Sequence, residues 1–142
     1  MYPQMKSVLA LAATSVTAAA TATCLIDTMG ADFLSLDVYQ TTANVVSNKA
    51  TVAKLQDCDT SNGTFADVSG TVGGTDWTIP NADTSNTYLY KFNVDCRHRK
   101  RWLKLSLSPA TTQTVTVVGN LARMDRAPVV AADAGANAII GA

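Results

Sequence analysis

The chain has 142 residues, 47% of them hydrophobic and only 15% charged, and its eleven basic side chains balance eleven acidic ones to a formal net charge of zero. That length suits one domain, able to bury about two-thirds of its unfolded surface without a metal or a disulfide. The lack of a basic excess argues against a nucleic-acid binder, and so thin a charge complement gives little protection against association.

Residues 1–23 open the chain with Lys6, an apolar run from Val8 to Ala13, and a small-residue stretch that ends at Thr23-Cys24. The pattern mimics a secretory leader. Its apolar part is too short and too rich in Thr to span a bilayer as a helix. The expectation is that Met1 is retained and that residues 1–23 form an N-terminal arm. Its Ala, Thr, Ser and Val residues suit an extended strand lying on another surface.

Strands of period two follow, separated by turn chemistry. Residues 22–29 form a first candidate, stopped by Gly30. In 33–40, Leu34, Leu36 and Val38 share one face, with Ser35, Asp37 and Tyr39 on the other, as in a sheet buried on one side. Residues 43–49 are a connection. In 50–57, Ala53 and Leu55 point inward. Between Asp57 and Gly63 lies a polar turn, where Asn62-Gly63 signals positive φ. Phe65 and Val68 make a short apolar pair, Gly70 to Gly74 a loop, and Asp76 to Pro80 a short extended piece. Residues 81–87 are polar and loop-like.

The second half carries the strongest alternation. In 88–96, Tyr88, Tyr90, Phe92, Val94 and Cys96 share one face. In 102–107, Leu103, Leu105 and Leu107 do so. Residues 113–124 form a last strand, with Val115 and Val117 alternating against Thr114 and Thr116. No amphipathic helix of three turns is found. Seven or eight short strands imply an all-β domain over residues 24–128, a β-sandwich of jelly-roll type, with an immunoglobulin-like sandwich next. Residues 129–142, which hold Val129 and Val130, lack the large side chains of a core and read as a C-terminal extension.

Sites for chemistry are scarce. Cys24, Cys58 and Cys96 are odd in number and widely spaced, so they read as reduced, at least partly buried thiols of a chain made in a reducing cytoplasm. The single histidine, His98, sits in a basic turn with no nucleophile motif beside it. Asp57, Asp59 and Asp67 depart from the spacing of a calcium loop and read as turn residues. No catalytic residue, metal or cofactor is expected. The most conspicuous charged feature is Arg97-His98-Arg99-Lys100-Arg101, followed at once by Trp102. It reads either as a patch for an acidic partner or as a solvated hairpin turn whose cations deter edge pairing. Arginine and tryptophan are favoured interface anchors, and no interleaved aromatics are present to stack bases.

Several segments together resemble the small head decoration, or cement, proteins of tailed bacteriophages. They are Cys24-Leu25-Ile26-Asp27-Thr28-Met29-Gly30-Ala31-Asp32-Phe33, Lys54-Leu55-Gln56-Asp57, Gly63-Thr64-Phe65 with Asp67-Val68, Phe92-Asn93-Val94-Asp95, Arg99-Lys100-Arg101-Trp102-Leu103-Lys104, and Leu121-Ala122-Arg123 through Ala127-Pro128. The likeness covers about residues 20–128. It implies a non-enzymatic β-sandwich subunit on the capsid exterior, made in the host cytoplasm. The implied partners are the major capsid protein and copies of the chain itself, as a homotrimer, with no membrane and no direct nucleic-acid contact. The candidate contact residues are Val8, Leu9 and Leu11 in the N-terminal arm, Arg97, Arg99, Lys100, Arg101 and Trp102 in the basic turn, and Arg123, Arg126, Val129 and Val130 towards the C-terminus. Other readings are a different virion part, such as a head-fibre, neck or tail subunit, or a secreted β-sandwich adhesin or carbohydrate-binding module using Trp77, Trp102 or Tyr39.

Overall fold

The computed structural model describes residues 5–42, 50–79 and 87–123. Eight strands run in chain order: β1 (Met5–Val16), β2 (Ala22–Asp27), β3 (Phe33–Thr42), β4 (Val52–Cys58), β5 (Ala66–Asp67), β6 (Thr87–Asp95), β7 (Trp102–Ser108) and β8 (Gln113–Ala122). A 3-10 turn, Cys96–His98, links β6 to β7. The expectation of an all-β sandwich holds.

Two four-stranded antiparallel sheets form the layers. Sheet A has the order β1-β8-β3-β6 and sheet B the order β2-β7-β4-β5. The partners β1·β8, β2·β7, β3·β6 and β4·β5 are those of one long hairpin rolled over on itself, which is the jelly-roll topology. The immunoglobulin-like alternative is set aside by this strand order.

The strands form where the alternation is cleanest. Leu34, Leu36 and Val38 of β3 and Val115, Val117 and Leu121 of β8 are all at most 1% exposed and face sheet B. From sheet B, Ile26, Leu55, Leu103, Leu105 and Leu107 meet them. Gly119 lies among the inward residues of β8, and a Cβ there would lie 3.1 Å from Leu36 Cδ1. The absent side chain leaves room for the two leucines of β3.

One side of the sandwich is incomplete, because β5 has two residues where its facing strand β6 has nine. The loop from Val68 to Ile79 fills the gap. Val68 and Ile79 are buried, and Trp77 packs edge-on against Tyr90 and Phe92, with ring centroids 5.8 and 6.0 Å apart. The Asp76 carboxylate ties the loop by accepting from the Gly70 and Val72 amides at 2.7 and 3.0 Å.

Three expectations change. Residues 5–16 are no free arm: they are β1, laddered to β8 from Met5↔Ala122 to Val16↔Gln113. The apolar run that reads as a leader or an arm is an integral strand of sheet A. The turn before Gly63 exists, but Gly63 is not among the positive-φ residues. Its requirement is space, since a Cβ would lie 2.5 Å from Cys58 Sγ. Of the extended piece expected at Asp76–Pro80, Asp76 lies in a tight turn over residues 74–76 closed by a Gly73↔Trp77 bridge; Pro80 lies outside the described residues.

Candidate functional site

The basic run lies at one end of the sandwich, in the connection between β6 and β7, and its side chains are exposed. Most of its charge is answered within the chain. Asp95 caps the 3-10 turn by accepting the Arg97 amide at 3.1 Å, and it grips the Arg97 guanidinium at 2.9 and 2.6 Å. Arg97 beside Asp95 holds that carboxyl far below the usual carboxylate range. Arg101 makes a two-point contact with Asp27 at the end of β2, at 2.9 and 2.8 Å, and lowers its pKa. The Lys100 amide reaches Asp57, and its ammonium lies 3.9 Å from Asp59. Arg99 has no side-chain partner among the described residues. The run is therefore chiefly a pinned turn, closer to the solvated-turn reading than to a free cationic patch.

The remaining contact candidates divide. Trp102 is half-buried on β7, opposite Asp27 and Cys58, with the Arg101 guanidinium 5.2 Å from its ring centre. Arg123 ends β8 in a left-handed conformation, φ 54°, and stacks over Phe33 at 5.4 Å; Arg97 covers the same ring at 5.1 Å. Val8 and Leu11 are partly buried and pack against the core, whereas Leu9 is 63% exposed. Arg126, Val129 and Val130, and with them the expected C-terminal extension, lie outside the described residues.

The outer faces of the two sheets differ in character. On sheet B, Lys54 and Gln56 both bind Asp67 at 2.8 Å, Ser106 donates to Gln56, and Lys104 covers Phe65 at 4.5 Å. Those polar groups satisfy one another. On sheet A the outward rows run Met5–Ala122–Phe33–Asp95, Ser7–Asn120–Ser35–Asn93, Leu9–Val118–Asp37–Lys91 and Thr116–Tyr39–Leu89. Among the described residues, four of the six exposed large hydrophobic ones, Met5, Leu9, Tyr39 and Leu89, stand on this face. The Asp37–Lys91 pair at 2.8 Å neutralises its main charges. A groove of about 500 Å³ opens between Met5, Phe33 and Asn93.

This apolar face was not legible as a site in the sequence. Tyr39 stands out only as one residue of a sugar-binding alternative and Leu9 only as a contact of the segment read as an arm, and nothing in the sequence joins them to Met5 and Leu89. The signal lies in the register that aligns them across four strands.

The three cysteines are free and buried. Burial pushes the thiols of Cys24 and Cys96 up to about 11, so they are protonated and poorly nucleophilic at neutral pH. Among the described residues no group of three or more His, Cys, Asp or Glu side chains is placed to hold a metal ion, and no helix is long and apolar enough to cross a membrane. Comparison with protein-family models, with curated proteins and with solved structures returns no match for this chain.

Proposed function

We propose that this chain is a structural virion subunit that decorates a phage capsid, binding the lattice of the major capsid protein from outside and reinforcing it. The observation that carries the reading is the pairing of a jelly roll with one apolar outer face. Jelly rolls recur in viral capsid domains, though also in lectins and cupins, so the fold contributes by analogy alone. The apolar face of sheet A adds a physical argument. Exposed apolar residues gathered on one face mark a surface that is covered in use, and the mutually satisfied polar face of sheet B does not need a cover. The segment likeness over residues 20–128 points the same way.

The N-terminal segment no longer contributes as a dangling arm, since residues 5–16 belong to sheet A. Contact then falls to the body of the domain. Leu89, Tyr39 and Leu9 would form its apolar centre, and Arg99 and Arg123 would lie towards its rim. The reading assigns no catalytic step and no cofactor, and its partners are proteins.

Electron cryomicroscopy of purified particles tests it. Density for an eight-stranded sandwich on the outer capsid surface, sheet A towards the lattice, is the expected result. Particles that lack the protein, or carry it only on the neck or tail, would refute decoration. The variant Leu89→Asp should lower its occupancy on capsids while keeping the far-ultraviolet circular dichroism of the parent.

A further inference from the structure

We infer that β1 is a self-association edge: its Met5–Leu9 half pairs antiparallel with the same segment of a second copy, about a two-fold axis at Ser7, so that sheet A continues across the dimer. The inference stands apart from the capsid reading, because paired subunits are expected in free solution whether or not a capsid is the partner.

Each sheet of the sandwich has two edges, and three of the four are blunted. β5 is two residues long. β2 has six residues and ends at Asp27, which Arg101 holds. β6 carries Lys91 and Asp95, the kind of charge that deters strand addition. β1 is different. It has twelve residues, nothing among the described residues pairs with its outer side, and its only charge is Lys6. From Ser7 to Ile26 no charged side chain occurs. A long uncharged edge of this kind presents a row of open backbone donors and acceptors.

The geometry of β1 selects both the segment and the occupant. Register shifts fall between Leu9 and Leu11 and between Leu11 and Thr14, so the longest regular stretch of the ladder to β8 is Met5–Leu9, against three residues at Thr14–Val16. Bulges twist an edge away from pairing, which leaves those five regular residues as the longest part that can accept a strand. Ser7 is their centre. A two-fold there sets Ser7 opposite Ser7, Lys6 opposite Val8, and Met5 opposite Leu9. The like charges avoid each other. The two exposed large apolar residues of β1, Met5 and Leu9, 43% and 63% exposed, meet across the junction on the outer face. A two-fold interface requires one patch to complement itself, and this segment does. A chain of zero net charge adds no long-range repulsion. A five-residue ladder is small beside a standard interface of about 1,200–2,000 Å², so the association is weak and reversible.

The test joins sedimentation velocity of the full chain with cysteine cross-linking. The parent should shift from monomer to dimer with rising concentration, and Leu9→Lys should raise the dissociation constant at least tenfold with an unchanged urea midpoint. Facing antiparallel residues have Cα atoms about 4.5–5.5 Å apart, within the disulfide range. Mild copper-phenanthroline oxidation should therefore link Ser7→Cys into a covalent dimer, since the native thiols are buried. Asn93→Cys, exposed on β6, should stay monomeric. A parent that is monomeric throughout, as when its own C-terminal segment covers the edge, would overturn the inference. So would a trimer, the signature of head-to-tail β1–β6 pairing, or equal cross-linking of the two cysteine variants.

Discussion

Trp77→Ala should cost about 3 kcal/mol of stability, because Trp77 closes the side of the sandwich that β5 leaves open. Indole burial dominates the sum. A fully buried aromatic removes 150–250 Å² from water, worth about 4–6 kcal/mol at roughly 25 cal/mol per Å². Trp77 is partly exposed, which reduces this to about 2–3 kcal/mol. Its Nε1 donates to the Thr71 carbonyl at 3.0 Å, a bond worth about 1 kcal/mol net. For a chain of this length each kcal/mol moves the thermal midpoint by roughly 3–4 °C, so Tm should fall by about 10 °C. Urea unfolding followed by the fluorescence of the remaining Trp102 measures the change, with an unaltered m-value showing that the two states are the same. Trp77→Phe, which keeps edge contacts with Tyr90 and Phe92 but loses the hydrogen bond, should recover most of the loss. If Trp77→Ala cost less than about 1 kcal/mol, the loop over residues 68–79 would not be closing the core, and the account of the open side would fail.

Gly73→Ala should destabilise by about 1–3 kcal/mol through overpacking, since the added Cβ would lie 2.8 Å from the Ala53 carbonyl oxygen and 2.6 Å from Ile79 Cδ1; a neutral result in chemical unfolding would contradict that packing. Ellman's reagent should label the native thiols slowly and all three rapidly in denaturant, because Cys24, Cys58 and Cys96 are buried; a fast native thiol would place one of them at the surface. Asp27 has its pKa lowered first by the Arg101 hydrogen bonds, so its folded value lies below the unfolded one. Its contribution is thus complete above about pH 4 and is lost as pH falls through the folded pKa. Arg101→Gln should therefore be less stable than the parent at pH 7, by no more than about 1 kcal/mol for so exposed a pair, and the gap should close on acidification. A gap that widened towards low pH would reverse the assignment.

Most strands were readable before the fold was known. The alternation over 33–40, 88–96, 102–107 and 113–124 lies within one or two residues of the observed ends of β3, β6, β7 and β8. Each of these faces a core on one side only, so the pleat prints a period of two on the chain. β1 escaped for a matching reason. Its bulges break the period at Ala10 and Ala12, and Val8-Leu9-Ala10-Leu11-Ala12-Ala13 is left as an apolar run that reads equally as a leader or an arm. Of the contacts that neutralise the basic turn, the Arg97–Asp95 pair is local, but the Arg101–Asp27 pair spans 74 residues and leaves no local mark.

The sequence by itself determined an all-β chain and the inward residues of its central strands, because backbone pleat and side-chain polarity act between near neighbours. Tertiary structure alone decided the jelly-roll order, the incorporation of β1, the pinning of the cations and the gathering of Met5, Leu9, Tyr39 and Leu89 on one face. Those features depend on which distant strands lie side by side, and pairing over such separations is set by how two whole faces pack, which no local stretch of residues encodes.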